Sequence, residues 1–142
     1  MSDTWDRWGL DLAAIAAGRS KDPSTQTGAA ILDDYQRLVS VGFNGFPRGI
    51  LDDDRLRDRD TKLSIIIHAE VNAILFANRS LEGCTIYVSP WMPCSNCAAV
   101  IIQAGIKRVV SPIDGKVAER WAAAHALSLE ILEEAGVECV TI

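Results

Sequence analysis

Ile67-His68-Ala69-Glu70 and, further on, Pro93-Cys94-Ser95-Asn96-Cys97 are the stretches from which the rest of the chain is read. Together they spell His-x-Glu followed by Pro-Cys-x-x-Cys. One imidazole and two thiolates make three ligands for a tetrahedral Zn²⁺ and leave the fourth position to water. Structural zinc sites close all four positions with protein, whereas catalytic sites keep one open. Glu70 lies two residues from His68, too near to share the metal comfortably and well placed to handle protons on water. A lone Cys-x-x-Cys also fits a redox dithiol, and a lone His-x-Glu means little. Their combination, each at a predicted helix start and with proline before the first cysteine, favours a catalytic zinc over a structural zinc or a thiol-redox pair.

Working outward, residues 65–77 read as a buried helix carrying His68 and Glu70 in its first turns, closed by Asn78-Arg79-Ser80. Residues 85–89 read as a strand. Pro90 and Pro93 shape the next loop, residues 94–103 form a helix, and Gly105 suits its C-terminal end. Residues 108–110 are a short strand. A long helix over 117–134 carries Trp121, Ala124, Leu127, Ile131 and Leu132, and 137–142 is the last strand. Upstream, Trp5, Trp8, Leu12, Ile15 and Ala16 fall at helical spacing over 4–19, with Asp3 or Thr4 as N-cap. That Trp pair reads as core or subunit interface. Residues 28–32 and 38–43, joined by the polar turn 33–37, read as an antiparallel hairpin, and 44–49 as a loop.

The charge run 52–62 reads as a solvated loop or short helix, or else as a lid or effector-binding segment whose Arg55, Arg57, Arg59 and Lys62 meet phosphates. Helices alternating with strands after Leu63 imply right-handed crossovers and parallel pairing. The expectation is an α/β/α sandwich over 1–142: one domain, one mixed five-stranded sheet, helices on both faces.

Both ligand stretches open helices, where free N–H groups and the positive dipole end favour thiolate at Cys94 and Cys97. A bound zinc would acidify its water to a pKa of about 7. Hydroxide then attacks an amidine-like carbon such as C4 of cytosine. Glu70 takes the water's proton, passes it to the ring nitrogen and helps ammonia leave. His125, the only other histidine, reads as a surface or packing residue.

A formal net charge of −5 argues against a large nucleic-acid footprint, which needs a basic stripe. The longest apolar runs are too short to span a bilayer. No basic and apolar leader pattern follows Met1-Ser2-Asp3, so no signal peptide is expected. Of four cysteines, Cys84 and Cys139 read as free thiols, and a reduced, cytoplasmic protein is expected.

The chain resembles the cytidine and deoxycytidylate deaminase superfamily, most closely its deoxycytidylate (dCMP) deaminase branch. His68-Ala-Glu-Val-Asn-Ala-Ile74 and Pro93-Cys-Ser-Asn-Cys97 with Ile101-Ile-Gln-Ala-Gly-Ile106 carry the superfamily resemblance. Ser20-Lys-Asp-Pro-Ser-Thr-Gln-Thr-Gly-Ala29 and Gly42-Phe-Asn-Gly-Phe-Pro-Arg-Gly49 point to the branch. The resemblance implies one catalytic zinc per chain on His68, Cys94 and Cys97, with Glu70 as proton shuttle. It puts Asn44 on the substrate sugar and Ser24 and Thr25 near the nucleotide. Lys21 and Arg48 add a polar, basic surround suited to a phosphate.

The resemblance also implies a homo-oligomer, hexamer or dimer, and in some members regulation by dCTP with Mg²⁺ and by dTTP. Two features depart from the pattern. Ser-Pro-Ile-Asp-Gly-Lys follows Val110 where relatives often carry Asp and Tyr in a closing loop. The segment between Asn44 and His68 is short and lacks the residues of a second zinc. The expected reaction is hydrolysis of dCMP to dUMP and ammonia. The rivals are another small cytosine compound, guanine, a tRNA or other nucleic acid, and a non-catalytic zinc module.

Overall fold

Gly28-Ala-Ala-Ile-Leu32 has no polar side chain to offer water, and all five residues are buried. A strand apolar on both faces belongs inside a sheet covered on both sides. The computed structural model describes residues 2–115 and 117–142 and puts that strand there. The elements run α1 (Ser2–Ala17), β1 (Gly28–Leu32), β2 (Leu38–Phe43), a 3₁₀ turn (Asp54–Arg57), α2 (Arg59–Ile65), α3 (Ala69–Ala77), β3 (Thr85–Ser89) and α4 (Ser95–Gln103). After these come β4 (Arg108–Ser111), a second 3₁₀ turn (Glu119–Trp121), α5 (Ala122–Glu134) and β5 (Glu138–Thr141).

The five strands lie in the order β2-β1-β3-β4-β5. β1 pairs antiparallel with β2 and with β3, while β3, β4 and β5 pair in parallel. This is the expected mixed five-stranded sheet. Alternate residues separate two cores. Ala29, Ile31, Ile86, Val88 and Val109 pack with α3, α4 and α5 through Ala73, Ala98, Ile101 and Leu132. Ala30, Leu32, Tyr87 and Val110 pack under α1 through Leu10 and Ala13.

The register fixes where the loops emerge. Gly28 faces Phe43 on one side and Ser89 on the other. The start of β1 and the ends of β2 and β3 therefore lie side by side, and the segments 18–27, 44–68 and 90–94 leave the sheet from one edge. α3 lies hard against β2 because Gly42 has no Cβ: one would sit 2.4 Å from Ala73 N and 2.5 Å from Ala69 O.

Four local expectations are corrected. The face of α1 set out by Trp5, Trp8 and Ile15 is turned outward, with exposures of 47%, 38% and 72%, while Asp6 is 2% exposed. Asp6 is drawn inside by a bidentate pair with Arg108 (2.7 Å twice) and by the Tyr87 hydroxyl, which donates at 2.9 Å. A satisfied buried carboxylate overrides the hydrophobic spacing. Thr4 lies within the helix rather than capping it.

The helix expected over 65–77 is broken. α2 stops at Ile65, Ile67 pairs with Gly45 by N–H donations of 2.8 and 3.1 Å, and His68 becomes the N-cap of α3. In the last helix the buried residues are His125, Ser128 and Leu132, while Leu127 is 47% exposed. No helix among the described residues is long and apolar enough to cross a membrane.

Candidate active site

Two helix N-termini meet at the edge where the loops emerge. His68 and Cys94 are the N-caps of α3 and α4, and Glu70 and Cys97 lie in their first turns. His68 Nδ1 is 3.2 Å from Cys97 Sγ and 3.6 Å from Cys94 Sγ. All three donor atoms lie within 4.8 Å of one another. With usual Zn–S and Zn–N bond lengths, neighbouring N and S ligands of a tetrahedral ion stand ~3.6 Å apart. The donor set fits zinc in chemistry and spacing, with Nδ1 as the histidine donor. Among the described residues it is the one such cluster of His, Cys, Asp and Glu.

The thiols share their protons unequally. A hydrogen bond from Cys97, helped by His68, pulls the Cys94 thiol down to about 3 against its own desolvation. The same contact with Cys94, together with burial, pushes Cys97 up. The contact with Cys94 raises His68. A divalent cation bound here would take the place of the shared proton, with Cys94 and Cys97 holding it as thiolates. Glu70 is 5% exposed, and burial pushes its carboxyl above the usual carboxylate range. The charge of a bound ion pulls it back toward the ionised form. A carboxyl so balanced can both take and return a proton.

The cleft above these groups has about 790 Å³ of open space, the solvent at its mouth included. Val88, Trp91, Met92, Leu63 and Ile66 supply apolar wall.

Residues 3–112 match the family described as the cytidine and deoxycytidylate deaminase zinc-binding region. The chain belongs to that family. It is 45% identical over 139 residues to an uncharacterized deaminase in the luxG 3′ region of Aliivibrio fischeri, covering 97% of this chain and 93% of that protein. To the deoxycytidylate deaminase of Homo sapiens it is 42% identical over 113 residues, 75% of this chain and 63% of that protein. Against this relative the chain thus spans less than two thirds of the length. The fold is that of the apo dCMP deaminase of cyanophage S-TIM5, with a TM-score of 0.77, 21% identity and full coverage of both chains.

In this family member Asn44, Ser24 and Thr25 line the cleft, but the Asn44 amide is committed inward. Its Oδ1 accepts from Thr27 N–H at 2.9 Å, and its Nδ2 donates to Thr25 O at 3.0 Å and Asp22 Oδ2 at 3.3 Å. It braces the 22–27 loop. Lys21 and Arg48 lie outside the lining: Lys21 is 72% exposed and pairs with Asp52 at 3.3 Å, and Arg48 sits over the Phe76 ring at 5.7 Å. Lys21 turns away because its neighbour Asp22 points inward.

Sequence reasoning missed what holds the wall. Lys62, the end of a run read either as solvated or as meeting phosphates, is buried. Its Nζ donates to Asp22 Oδ1 at 3.0 Å and to Ser24 Oγ at 3.2 Å. Asp22 Oδ1 also accepts from the N–H groups of Ser24 (2.8 Å) and Thr25 (3.4 Å). Arg59, Arg120, Trp121 and His125 line the cleft as well. His125 is 8% exposed and its Nδ1 has no partner. Burial pushes its pKa down and favours a neutral ring, against the pull of Cys94.

Proposed function

We propose that this protein is a zinc-dependent hydrolase that converts dCMP and water to dUMP and ammonia. The carrying observation is an open His68/Cys94/Cys97 donor set with the buried carboxyl of Glu70 beside it, in a cleft of a chain of the cytidine and deoxycytidylate deaminase family. A structural zinc module has no use for that carboxyl.

His68, Cys94 and Cys97 hold the ion, one per chain, and when bound it supplies Lewis-acid activation of water. Glu70 accepts the attacking water's proton and delivers it to N3 of the cytosine ring as the C4–O bond forms. It then takes the proton of the new C4 hydroxyl and passes it to the 4-amino group; the C4–N bond breaks as the C4 carbonyl forms, and ammonia departs. The buried site keeps bulk water from competing for that proton. Ser24, Thr25 and Asn44 shape the loop against the nucleotide.

The test is ammonia release from dCMP, deoxycytidine, cytidine, CMP, guanine and a tRNA at fixed ionic strength. The highest kcat/KM is expected for dCMP. Equal or better turnover of deoxycytidine or guanine refutes the assignment. Adding dCTP with Mg²⁺, or dTTP, to the same assay reads the regulation implied by the family resemblance.

Two further parts of the proposal rest on the surface. Exposed Leu38, Val41 and Phe43 on edge strand β2, with Leu75 and Phe76 on neighbouring α3, support a homo-oligomer; light scattering gives its mass. The four free cysteines support a reducing cytoplasm.

A further inference from the structure

Charge inside the cleft is unevenly matched. Lys62 is neutralised by Asp22 at 3.0 Å. Arg59 from α2 and Arg120 from the turn before α5 line the same cleft, and among the described residues neither pairs with a carboxylate. Both stand over one ring: their guanidinium carbons lie 5.7 Å and 5.9 Å from the centre of Trp121.

Other arginines of this chain also sit over aromatic rings, with a difference. Arg37 over Tyr35 is held by Asp33 at 2.7 Å, and Arg55 over Phe46 by Asp53 at 2.8 Å. Arg48 over Phe76 lies outside the cleft. Among the described residues, Arg59 and Arg120 alone combine a position over an aromatic ring, no carboxylate partner and a place in the cleft. Stacking on an aromatic face restrains a guanidinium while leaving its in-plane donors free, the geometry that grips a phosphate by two hydrogen bonds. In a chain of net charge −5, two such groups converging from distant parts of the sequence define a local anion site.

On the proposed substrate, we infer that Arg59 and Arg120 clamp the 5′-phosphate of the nucleotide across Trp121, and so set the preference for a monophosphate over a nucleoside. Two guanidinium groups match the double negative charge of a phosphate monoester. Trp121 holds both at one spacing and covers the cleft beside them. This role falls to α2 and the start of α5 rather than to Lys21 and Arg48.

The experiment compares kcat/KM for dCMP and deoxycytidine at fixed ionic strength, in zinc-saturated wild-type protein, Arg59→Gln, Arg120→Gln and the double variant. Arg79→Gln serves as a charge control on the exposed end of α3. Each single change in the cleft should lower the dCMP-to-deoxycytidine ratio by about tenfold, and the double change by about 10²-fold. Arg79→Gln should leave the ratio in place. A proportional fall for both substrates, or an equal effect of Arg79→Gln, overturns the clamp. If the wild-type protein does not turn over dCMP at all, the substrate assignment falls separately. The clamp is then decided by calorimetric titration with inorganic phosphate: binding weakened in the double variant sustains it, while binding that is absent, or equal in both proteins, overturns it.

Discussion

Lys62→Met removes the charge from a side chain that is 6% exposed and leaves the Asp22 carboxylate, also 6% exposed, without its cation. Breaking one half of a buried ion pair typically costs about 3–5 kcal/mol. Asp22 keeps donors from Ser24 N–H, Thr25 N–H and Asn44 Nδ2, and methionine keeps most of the buried stem. The lower end, about 3 kcal/mol, is therefore expected. For a domain of this size that is a drop in Tm of roughly 10 °C, measured by circular dichroism on zinc-saturated protein. Because Asp22 and Asn44 hold the 22–27 loop against the cleft, KM should rise with it. Asp22→Asn combined with Lys62→Met removes the stranded charge and should recover more than half of the lost Tm, a coupling that a double-mutant cycle reads directly. A drop below about 2 °C for Lys62→Met, or strictly additive changes in the double variant, would refute the buried pair as the brace of this wall.

Glu70→Gln should keep about one zinc per chain by metal analysis and lose roughly 10²–10⁴-fold in kcat, because an amide cannot carry the proton; a variant keeping most of its turnover would remove Glu70 from the shuttle. Cys94→Ala should lose both metal and thermal stability, since the ion ties the starts of α3 and α4 together; full zinc retention would contradict the ligand set. Asp6 is held below its ordinary value of 3.8 chiefly by Arg108, so its contribution is present above the unfolded pKa and is lost as pH falls through the lower folded value. The stability gap between wild type and Asp6→Asn should thus be constant from pH 7 to about 5 and narrow below about 4; a gap that stays flat through acid unfolding would contradict it.

The strands were legible because their signal is local. Gly28 to Leu32 is apolar on both faces, and the helix–strand alternation after it leaves few ways to order a parallel sheet. The cluster of His68, Cys94 and Cys97 was legible for a like reason: Cys94 and Cys97 are one helical turn apart, and His68 and Glu70 open a second helix. The helix boundary at Ile65 was not legible. Three isoleucines in a row fit a buried helix as well as an extended link, and Gly45, which decides the matter by pairing with Ile67, is a distant residue.

The same separation explains why the outer cleft escaped the sequence. Hydrophobic spacing assigns each residue a face from its own neighbours, so it read Trp5 and Trp8 as core or subunit interface and gave Asp6 no place, while the charge run left Lys62 either in solvent or facing phosphates. The buried positions of Asp6 and Lys62 are each set by one partner far along the chain: Arg108 for Asp6, and Asp22 for Lys62. A carboxylate or ammonium enters the interior only with a partner that replaces its hydration, and no local pattern records that partner. Trp121 was read only as one apolar residue of the last helix. It lines the cleft with two guanidinium groups over its ring, one of them from α2. The groups proposed for the chemistry are thus written in short motifs, while the outer cleft is assembled by residues brought together across the fold: the Lys62–Asp22 pair and the guanidinium groups over Trp121. Substitutions at Arg59, Lys62 and Arg120 should accordingly change which molecule is deaminated before they change whether deamination occurs.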